Sequence, residues 1–197
     1  MWKDAEKILQ NNKYIGPLIQ KWGNCTIMPI NKEKYFEDLV DAICSQQLSG
    51  KAAKTIFERV KNLLVSVTPK NIISKTDQEL RDCGLSWQKV GYVKDLANKV
   101  SSGELQIEIL NKLDDEEIIK KLTLVKGIGK WTAEMFLMFS LGRPDIFPID
   151  DLGIKKGFEK VTGEKWDKIK SAKFAEKNWK PYRTVASWYL WRSLENR

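Results

Sequence analysis

The chain has 197 residues, a formal net charge of +8 and a pI of about 9.3, which fit one domain or two joined subdomains and favour an acidic partner such as nucleic acid. It contains no histidine, which excludes Ser-His-Asp and Cys-His nucleophile systems, HExxH sites and every zinc site that uses histidine. Cys25, Cys44 and Cys83 are far apart and form no CxxC, so neither a disulfide scaffold nor an iron–sulfur cluster is predicted, and a reducing compartment is favoured.

Apolar residues repeat with helical spacing along nearly the whole chain. Segments 32–49, 50–65 and 90–100 each carry an apolar stripe, and segment 114–125 starts with four acidic residues, as a first helical turn often does. Segment 130–142, KWTAEMFLMFSLG, is apolar on most faces and predicts a central buried helix. No strand alternation of useful length occurs, and no apolar run is long enough to span a membrane. The sequence therefore predicts an all-α fold of about ten short helices.

Two glycines mark the turn inside residues 122–134, LTLVKGIGKWTAE. Gly127 and Gly129 allow positive φ and close backbone approach, and the helix that follows directs its first amides out of the turn. Those amides, with Lys130 beside them, predict a phosphate site, although a tight turn with a glycine C-cap explains the same residues. A Walker A loop is excluded because Trp131 stands where serine or threonine is required.

Two adjacent acids follow in residues 147–157, FPIDDLGIKKG. One acidic residue is enough to cap a helix, so the pair Asp150 and Asp151 calls for a second explanation. The basic charge is concentrated beyond this point, because residues 151–197 contain 12 Lys and Arg against 6 Asp and Glu, or +6, which leaves +2 for residues 1–150.

The combined pattern KGIGKWTAEMFLMF…FPIDDLGIK resembles the helix–hairpin–helix and following aspartate of DNA repair glycosylases. The segments ICSQQLSGKAAKTI and NWKPYRTVASWYLWR are similar to the 3-methyladenine DNA glycosylase II (AlkA-like) branch, so the resemblance covers roughly residues 5–192. It implies two helical subdomains with a DNA and base cleft between them, in a compact form without the extra mixed α/β domain of larger bacterial relatives. One subdomain is expected at 31–142, with the helix–hairpin–helix at about 113–139, and the other at 1–30 plus 143–197.

The resemblance implies that Asp151 is the catalytic carboxylate and that Asp150 caps the helix or orients its neighbour. Cleavage of the glycosidic bond develops positive charge on the sugar, which a nearby carboxylate stabilises. An alkylated purine already carries positive charge and leaves readily, so the lack of histidine is no handicap. The alternative for Asp151 is a simple helix N-cap.

The base pocket implied by the resemblance contains Trp131, Trp179, Met135 and Leu152. Relatives that nick the strand carry a nucleophilic lysine at the position of Trp131, so a monofunctional enzyme is expected. The Trp131 ring is expected to stack on a cationic base, with core packing as the alternative. Met135 and Leu152 replace tyrosines of the best-known bacterial pattern, which leaves the preferred lesion open. The remaining aromatics of the closing helix are expected in the core: Tyr182, Trp188, Tyr189 and Trp191.

The resemblance also implies DNA contacts. Gln47, or Gln46 in its place, is expected to wedge into the gap left by the flipped base, although a helix-end glutamine with local hydrogen bonds is an equal alternative. The hairpin residues expected to bind a DNA phosphate are Gly127, Gly129, Lys130 and Thr132. The main-chain carbonyls expected to bind Na⁺ or K⁺ are those of Thr123, Val125 and Ile128.

We therefore expect a monofunctional DNA glycosylase that excises alkylated bases of the 3-methyladenine type by hydrolysis, after base flipping, in base excision repair. A non-catalytic helix–hairpin–helix protein that binds distorted duplex is the alternative, and Trp131 argues against a third class, oxidised-base glycosylases with lyase activity. We expect no required cofactor, a monomer acting on damaged double-stranded DNA without membrane contact, and a location in the bacterial or archaeal cytosol and nucleoid or in a eukaryotic nucleus.

Overall fold

A computed structural model describes residues 1–195. Over these residues the fold is all helical and has no strand, as predicted, with twelve α-helices rather than about ten. The helices are α1 Lys3–Leu9, α2 Gly16–Trp22, α3 Tyr35–Ser45, α4 Gly50–Leu64, α5 Pro69–Ser74, α6 Asp77–Asp82, α7 Trp87–Ser101, α8 Asp115–Leu122, α9 Lys130–Met135, α10 Leu152–Thr162, α11 Lys168–Trp179 and α12 Arg183–Arg192. Short 3-10 segments lie at Lys32–Lys34 and Ile107–Lys112, and a π-helical segment lies at Phe136–Ser140.

The chain divides into two units. Unit 1 consists of Met1–Pro29 and Leu137–Arg197, and unit 2 consists of Ile30–Phe136. The breaks predicted from the sequence, after residues 30 and 142, lie one and six residues beyond those of the structure.

Helix α7 is the centre of unit 2, where it packs against α3, α5 and α6. The predicted stripes are buried: Leu39 and Ile43 of α3 and Leu96 of α7 have no exposed surface. Helix α8 starts with a capping box in which the Asp114 side chain accepts the Glu117 N–H and Glu117 returns a bond to the Asp114 backbone. The predicted helices at 32–49, 50–65, 90–100 and 114–125 are therefore confirmed, with ends moved by a few residues.

Helix α12 is the centre of unit 1, where it packs against α1, α2, α10 and α11. Every residue from 184 to 190 is buried, so this helix has no polar face and no amphipathic pattern to reveal its register. Beside it the rings of Phe147, Phe158, Phe174 and Trp179 form an aromatic cluster with centroids 5.2–6.0 Å apart. The core of unit 1 is thus built on aromatic packing around one buried helix.

The segment predicted as one buried helix, 130–142, starts as α9 and continues as the π-helical segment. Ala133, Leu137 and Met138 are fully buried, whereas Trp131 and Phe139 are 45% and 40% exposed. The prediction of a helix buried on most faces is therefore only partly correct, because Trp131 and Phe139 keep exposed surface. None of the helices within residues 1–195 is both long and apolar enough to cross a membrane.

Candidate functional site

The turn between α8 and α9 is held tightly by α7. Gly127 has φ of +81°, and a Cβ added to it would lie 2.1 Å from Cδ2 of Tyr92, so only glycine fits under that ring. The Lys126 N–H donates to Oδ2 of Asp95 at 2.9 Å. The first glycine of the predicted hairpin is therefore required by both its backbone angle and its packing.

The second glycine has a different role. Gly129 is the N-cap of α9, has φ of −90° and has open space around its α-carbon. No side chain caps this helix, so its first amides face outward beside Lys130, whose side chain is 56% exposed and lies 3.7 Å from a carboxylate oxygen of Glu134. Thr132 is 6% exposed, so it offers little side-chain surface to a phosphate. Phosphate binding by these residues stays a prediction.

A groove of about 550 Å³ runs along unit 2 between the end of α3 and the hairpin. Its lining residues are Ala42, Ser45, Gln46, Gln47, Leu48, Gly127, Trp131, Thr132 and Met135. Six of these nine were predicted separately as wedge, base-pocket or phosphate-binding residues. The fold of unit 2 therefore brings together residues that are up to about 90 positions apart in sequence.

The structure distinguishes the two candidate wedge glutamines. Nε2 of Gln46 donates to the carbonyl of Gly127 at 2.8 Å, so this side chain ties the end of α3 to the hairpin. Gln47 is exposed, has φ of +57° and makes no side-chain hydrogen bond to another described residue. The local hydrogen-bonding alternative describes neither glutamine, because Gln47 makes no such bond and the bond of Gln46 spans 81 positions. Insertion of Gln47 stays a prediction.

The carboxylate of Asp151 is fixed by two donors in unit 1. As the N-cap of α10, its Oδ1 accepts the Ile154 N–H at 2.7 Å, and the same oxygen accepts Nε1–H of Trp191 at 2.8 Å. A Cβ added to Gly153 would lie 2.7 Å from Cδ1 of Trp191, so glycine is needed where the indole reaches the carboxylate. The predicted catalytic acid is therefore also the helix cap, which leaves the capping explanation correct and catalysis compatible with it.

Asp150 does not cap α10, so the capping alternative for this residue is wrong. Its Oδ1 lies 2.5 Å from Nζ of Lys168, in an ion pair that is exposed on both sides. The two adjacent acids point to different partners because the N-cap residue and the residue before it face different directions.

The loop that leads to Asp151 is anchored on the start of α12. Arg183 donates through Nε and Nη2 to both oxygens of Asp145, at 2.7 and 2.8 Å. The Thr184 hydroxyl donates to the carbonyl of Arg143 at 2.6 Å and accepts the Ile146 N–H at 2.9 Å. Since Trp191 lies near the other end of the same helix, α12 holds both the loop and the carboxylate.

Sequence reasoning missed Trp191 as a site residue. Tyr189 and Trp188 are buried as expected, but Trp191 is only half-buried, stacks on Phe139 with ring centroids 5.9 Å apart, and bonds to Asp151. A tryptophan among three aromatics on one helix carries no signal for a partner that lies 40 positions earlier. The indole is visible as a donor only in the folded chain.

Two predicted base-pocket residues lie in contrasting surroundings within unit 1. Leu152 is 63% exposed at the start of α10. Trp179 is 1% exposed inside the aromatic cluster, and its indole N–H has no hydrogen-bond partner within residues 1–195. In this structure Trp179 offers almost no surface to a ligand, and both pocket assignments stay predictions.

The remaining candidates are the hairpin carbonyls and the cysteines. Val125 O accepts the Ile128 N–H at 3.1 Å, which leaves its second lone pair available, but cation binding stays a prediction. All three cysteines are buried, and burial raises the pKa of the Cys44 thiol to about 12, so this thiol is not ionised near neutral pH.

Comparison with known proteins shows that the chain belongs to one family. The family model of the HhH-GPD superfamily base excision DNA repair protein matches residues 40–183. The chain is 38% identical to DNA-3-methyladenine glycosylase 1 of Schizosaccharomyces pombe over 171 residues, which cover 83% of this chain and 74% of the relative.

Two solved structures are similar over nearly the whole chain. The 3-methyladenine DNA glycosylase of Schizosaccharomyces pombe in complex with abasic DNA has a TM-score of 0.82 and 36% identity, covering 97% of this chain and 96% of that one. A DNA-3-methyladenine glycosidase from Bacillus halodurans has a TM-score of 0.84 and 35% identity, covering 97% and 88%.

We expect Gly127→Ala to destabilise the chain by about 2–4 kcal/mol, because it combines a left-handed φ with a clash against Tyr92. Gly129→Ala in the same turn meets open space and is expected to cost at most about 1 kcal/mol, since alanine is a poorer N-cap than glycine. Urea unfolding of both variants tests this. Equal destabilisation would contradict the role given to Tyr92.

We expect Trp191→Phe to lower the free energy of unfolding by about 1–3 kcal/mol, because it removes a hydrogen bond to a charged group. A double-mutant cycle with Asp151→Ala measures the coupling between the two side chains. A coupling energy near zero would show that the 2.8 Å contact does not hold the carboxylate.

Proposed function

We propose, since the chain belongs to the HhH-GPD superfamily of base excision DNA repair proteins, that it is a monofunctional DNA glycosylase that removes alkylated bases of the 3-methyladenine type from double-stranded DNA. The observation that carries this proposal is the carboxylate of Asp151, held by Ile154 and Trp191 at the start of α10, in the sequence position where the resemblance expects the catalytic acid. The names of the relatives support the substrate class.

The reaction is hydrolysis of the bond between C1′ of the sugar and the base nitrogen. The target nucleotide leaves the duplex stack, as enzymes that act on a base require. As the bond breaks, its electron pair goes to the cationic base, which departs neutral, and positive charge develops on the sugar. Water then adds its oxygen to C1′ and releases a proton.

Asp151 supplies negative charge for that sugar cation. Its two identified donors to Oδ1, a backbone N–H and an indole N–H, are neutral, so they orient the carboxylate without cancelling its charge. The start of α10 also favours a negative group through the helix dipole. Groups that are already oriented cost no reorganisation when the charge develops, which is how such sites accelerate reactions.

Water rather than an amine is the proposed nucleophile. Trp131 has no nucleophilic nitrogen, and its ring is 45% exposed in the groove of unit 2, where it is suited to stack on a base. The product is then an abasic site in an uncut strand. Gln47 is the proposed wedge, and the uncapped start of α9 with Lys130 is the proposed phosphate site.

We further propose that the carbonyls of Thr123, Val125 and Ile128 hold Na⁺ or K⁺ at the hairpin, because carbonyl oxygens suit hard cations and the second lone pair of Val125 O is available. The protein is proposed to act as a monomer wherever the DNA of its cell lies: the cytosol and nucleoid of a bacterium or archaeon, or the nucleus of a eukaryote.

The direct experiment incubates the protein with a panel of duplexes, each with one alkylated or oxidised base. We expect free alkylated base and a strand that breaks only after alkali treatment. The reason is that this chain has Trp131, and not a nucleophilic lysine, at the position used for strand cleavage. Release from none of the alkylated duplexes would favour the non-catalytic DNA-binding alternative. Strand breakage before alkali would contradict the monofunctional assignment.

We expect Asp151→Asn to lower the single-turnover excision rate at least about 100-fold, because it removes charge stabilisation of the transition state. Asparagine caps helices as well as aspartate does, so the variant is expected to stay folded, which thermal unfolding checks. Asp150→Asn is the matched control, and its excision rate is expected to stay within about threefold of wild type. The exposed ion pair of Asp150 with Lys168 contributes little to the stability of the fold, so its loss should not disturb the site. Loss of excision in Asp150→Asn alone would reverse the assignment.

A further inference from the structure

Lys89 is a half-buried lysine that bonds to no acidic side chain among the described residues. Its Nζ donates to the carbonyls of Cys44 and Gln46, both at 2.7 Å, at the last turn of α3. A cation on the final carbonyls of a helix complements the negative end of the helix dipole and satisfies acceptors that have no partner within the helix. Burial lowers the pKa of Lys89, which shows that this arrangement has a desolvation cost.

The place where Lys89 acts is the loop between α3 and α4. Gln46 leaves the helix with an extended backbone, and Gln47 then takes the left-handed conformation with φ of +57°. A non-glycine residue in that region costs free energy and persists only where its surroundings hold it. Lys89 and the bond from Gln46 to Gly127 both hold this loop from outside.

Lys89, Tyr92 and Asp95 lie three residues apart on α7 and share one face of that helix. Lys89 binds the α3–α4 loop, Tyr92 packs on Gly127, and Asp95 accepts the Lys126 N–H. The hydrogen bond from Gln46 to the carbonyl of Gly127 links the loop directly to the hairpin. One helical face therefore sets the position of both loops that line the groove in unit 2.

We infer that Lys89 is a positioning residue that presets the α3–α4 loop for insertion at a gap in the base stack. This inference rests on the proposed function, because that function assigns Gln47 to the gap and the hairpin to the phosphate backbone. The Lys89 ammonium acts through the carbonyls of Cys44 and Gln46 and does not itself need to touch DNA. A preset loop binds more tightly because apparent affinity scales with the fraction of molecules already in the binding conformation.

The test is binding of Lys89→Met, which keeps the length of the side chain and removes its donors. The probes are a duplex with one tetrahydrofuran abasic analogue, which contains the gap without any chemistry, and the same duplex undamaged. If the loop is preset about 10% of the time without its anchor, affinity for the abasic duplex falls about tenfold. Affinity for the undamaged duplex is expected to change less than twofold, because phosphate contacts supply it.

Lys99→Met is the matched control on the same helix, since Lys99 pairs with Glu104 rather than with the loop, and it is expected to bind both duplexes as wild type does. If Lys89→Met fails to fold, Gln46→Leu removes the other contact to the loop and is expected to lower abasic-duplex affinity in the same selective way. Thermal unfolding of each variant accompanies the measurements.

Three results would overturn the inference: unchanged affinity of Lys89→Met for the abasic duplex, an equal loss on both duplexes, or the same loss in Lys99→Met. A wild-type protein without preference for the abasic duplex would overturn it as well. Failure of the proposed function is separate, because it shows as absent base release by the wild type, whereas this binding test requires no catalysis.

Discussion

The position of the Asp151 carboxylate depends on the burial of α12. This helix has buried residues from 184 to 190, so it cannot rotate or shift without opening the core of unit 1. Its first turn holds Arg143, Asp145 and Ile146, and Trp191 in its last turn holds Asp151. A rigid helix that bonds to two points of a loop, one through its first turn and one through its last, positions a reactive group more accurately than the loop alone can.

Helix α7 has the corresponding role in unit 2. It is packed on several sides by other helices and uses one face to hold a helix end and a tight turn. In both units core packing fixes the position of a central helix, and that helix makes polar contacts to the loops that carry the candidate site residues. The glycines at 127 and 153 follow from this plan, because each lies where an aromatic ring must come closer than a Cβ allows.

A capping aspartate and a catalytic aspartate are not competing explanations for Asp151. The cap fixes the side-chain direction, the start of α10 places the positive end of the helix dipole beside the carboxylate, and the Trp191 indole adds a second neutral donor. The three effects together produce a preorganised negative charge in a strongly basic chain. The same carboxylate is therefore suited both to stabilise the helix and, in the proposed reaction, to stabilise a sugar cation.

The sequence by itself determined the all-α fold, most helix positions and the family, because helical periodicity, the glycine turn and the acid after it are local patterns. It also named Gln46 and Gln47 as wedge candidates and Trp131 and Met135 as base-pocket candidates, and the fold of unit 2 then brings these four residues into one groove. Only the tertiary structure decided that Gln46 is tied to Gly127, that Trp179 is enclosed in the core, and that Lys89 and Trp191 hold the candidate loops. These facts depend on contacts between residues about 40 to 80 positions apart and on the burial of single side chains. Such contacts and such burial produce no periodic pattern in the sequence, so they cannot be predicted from it.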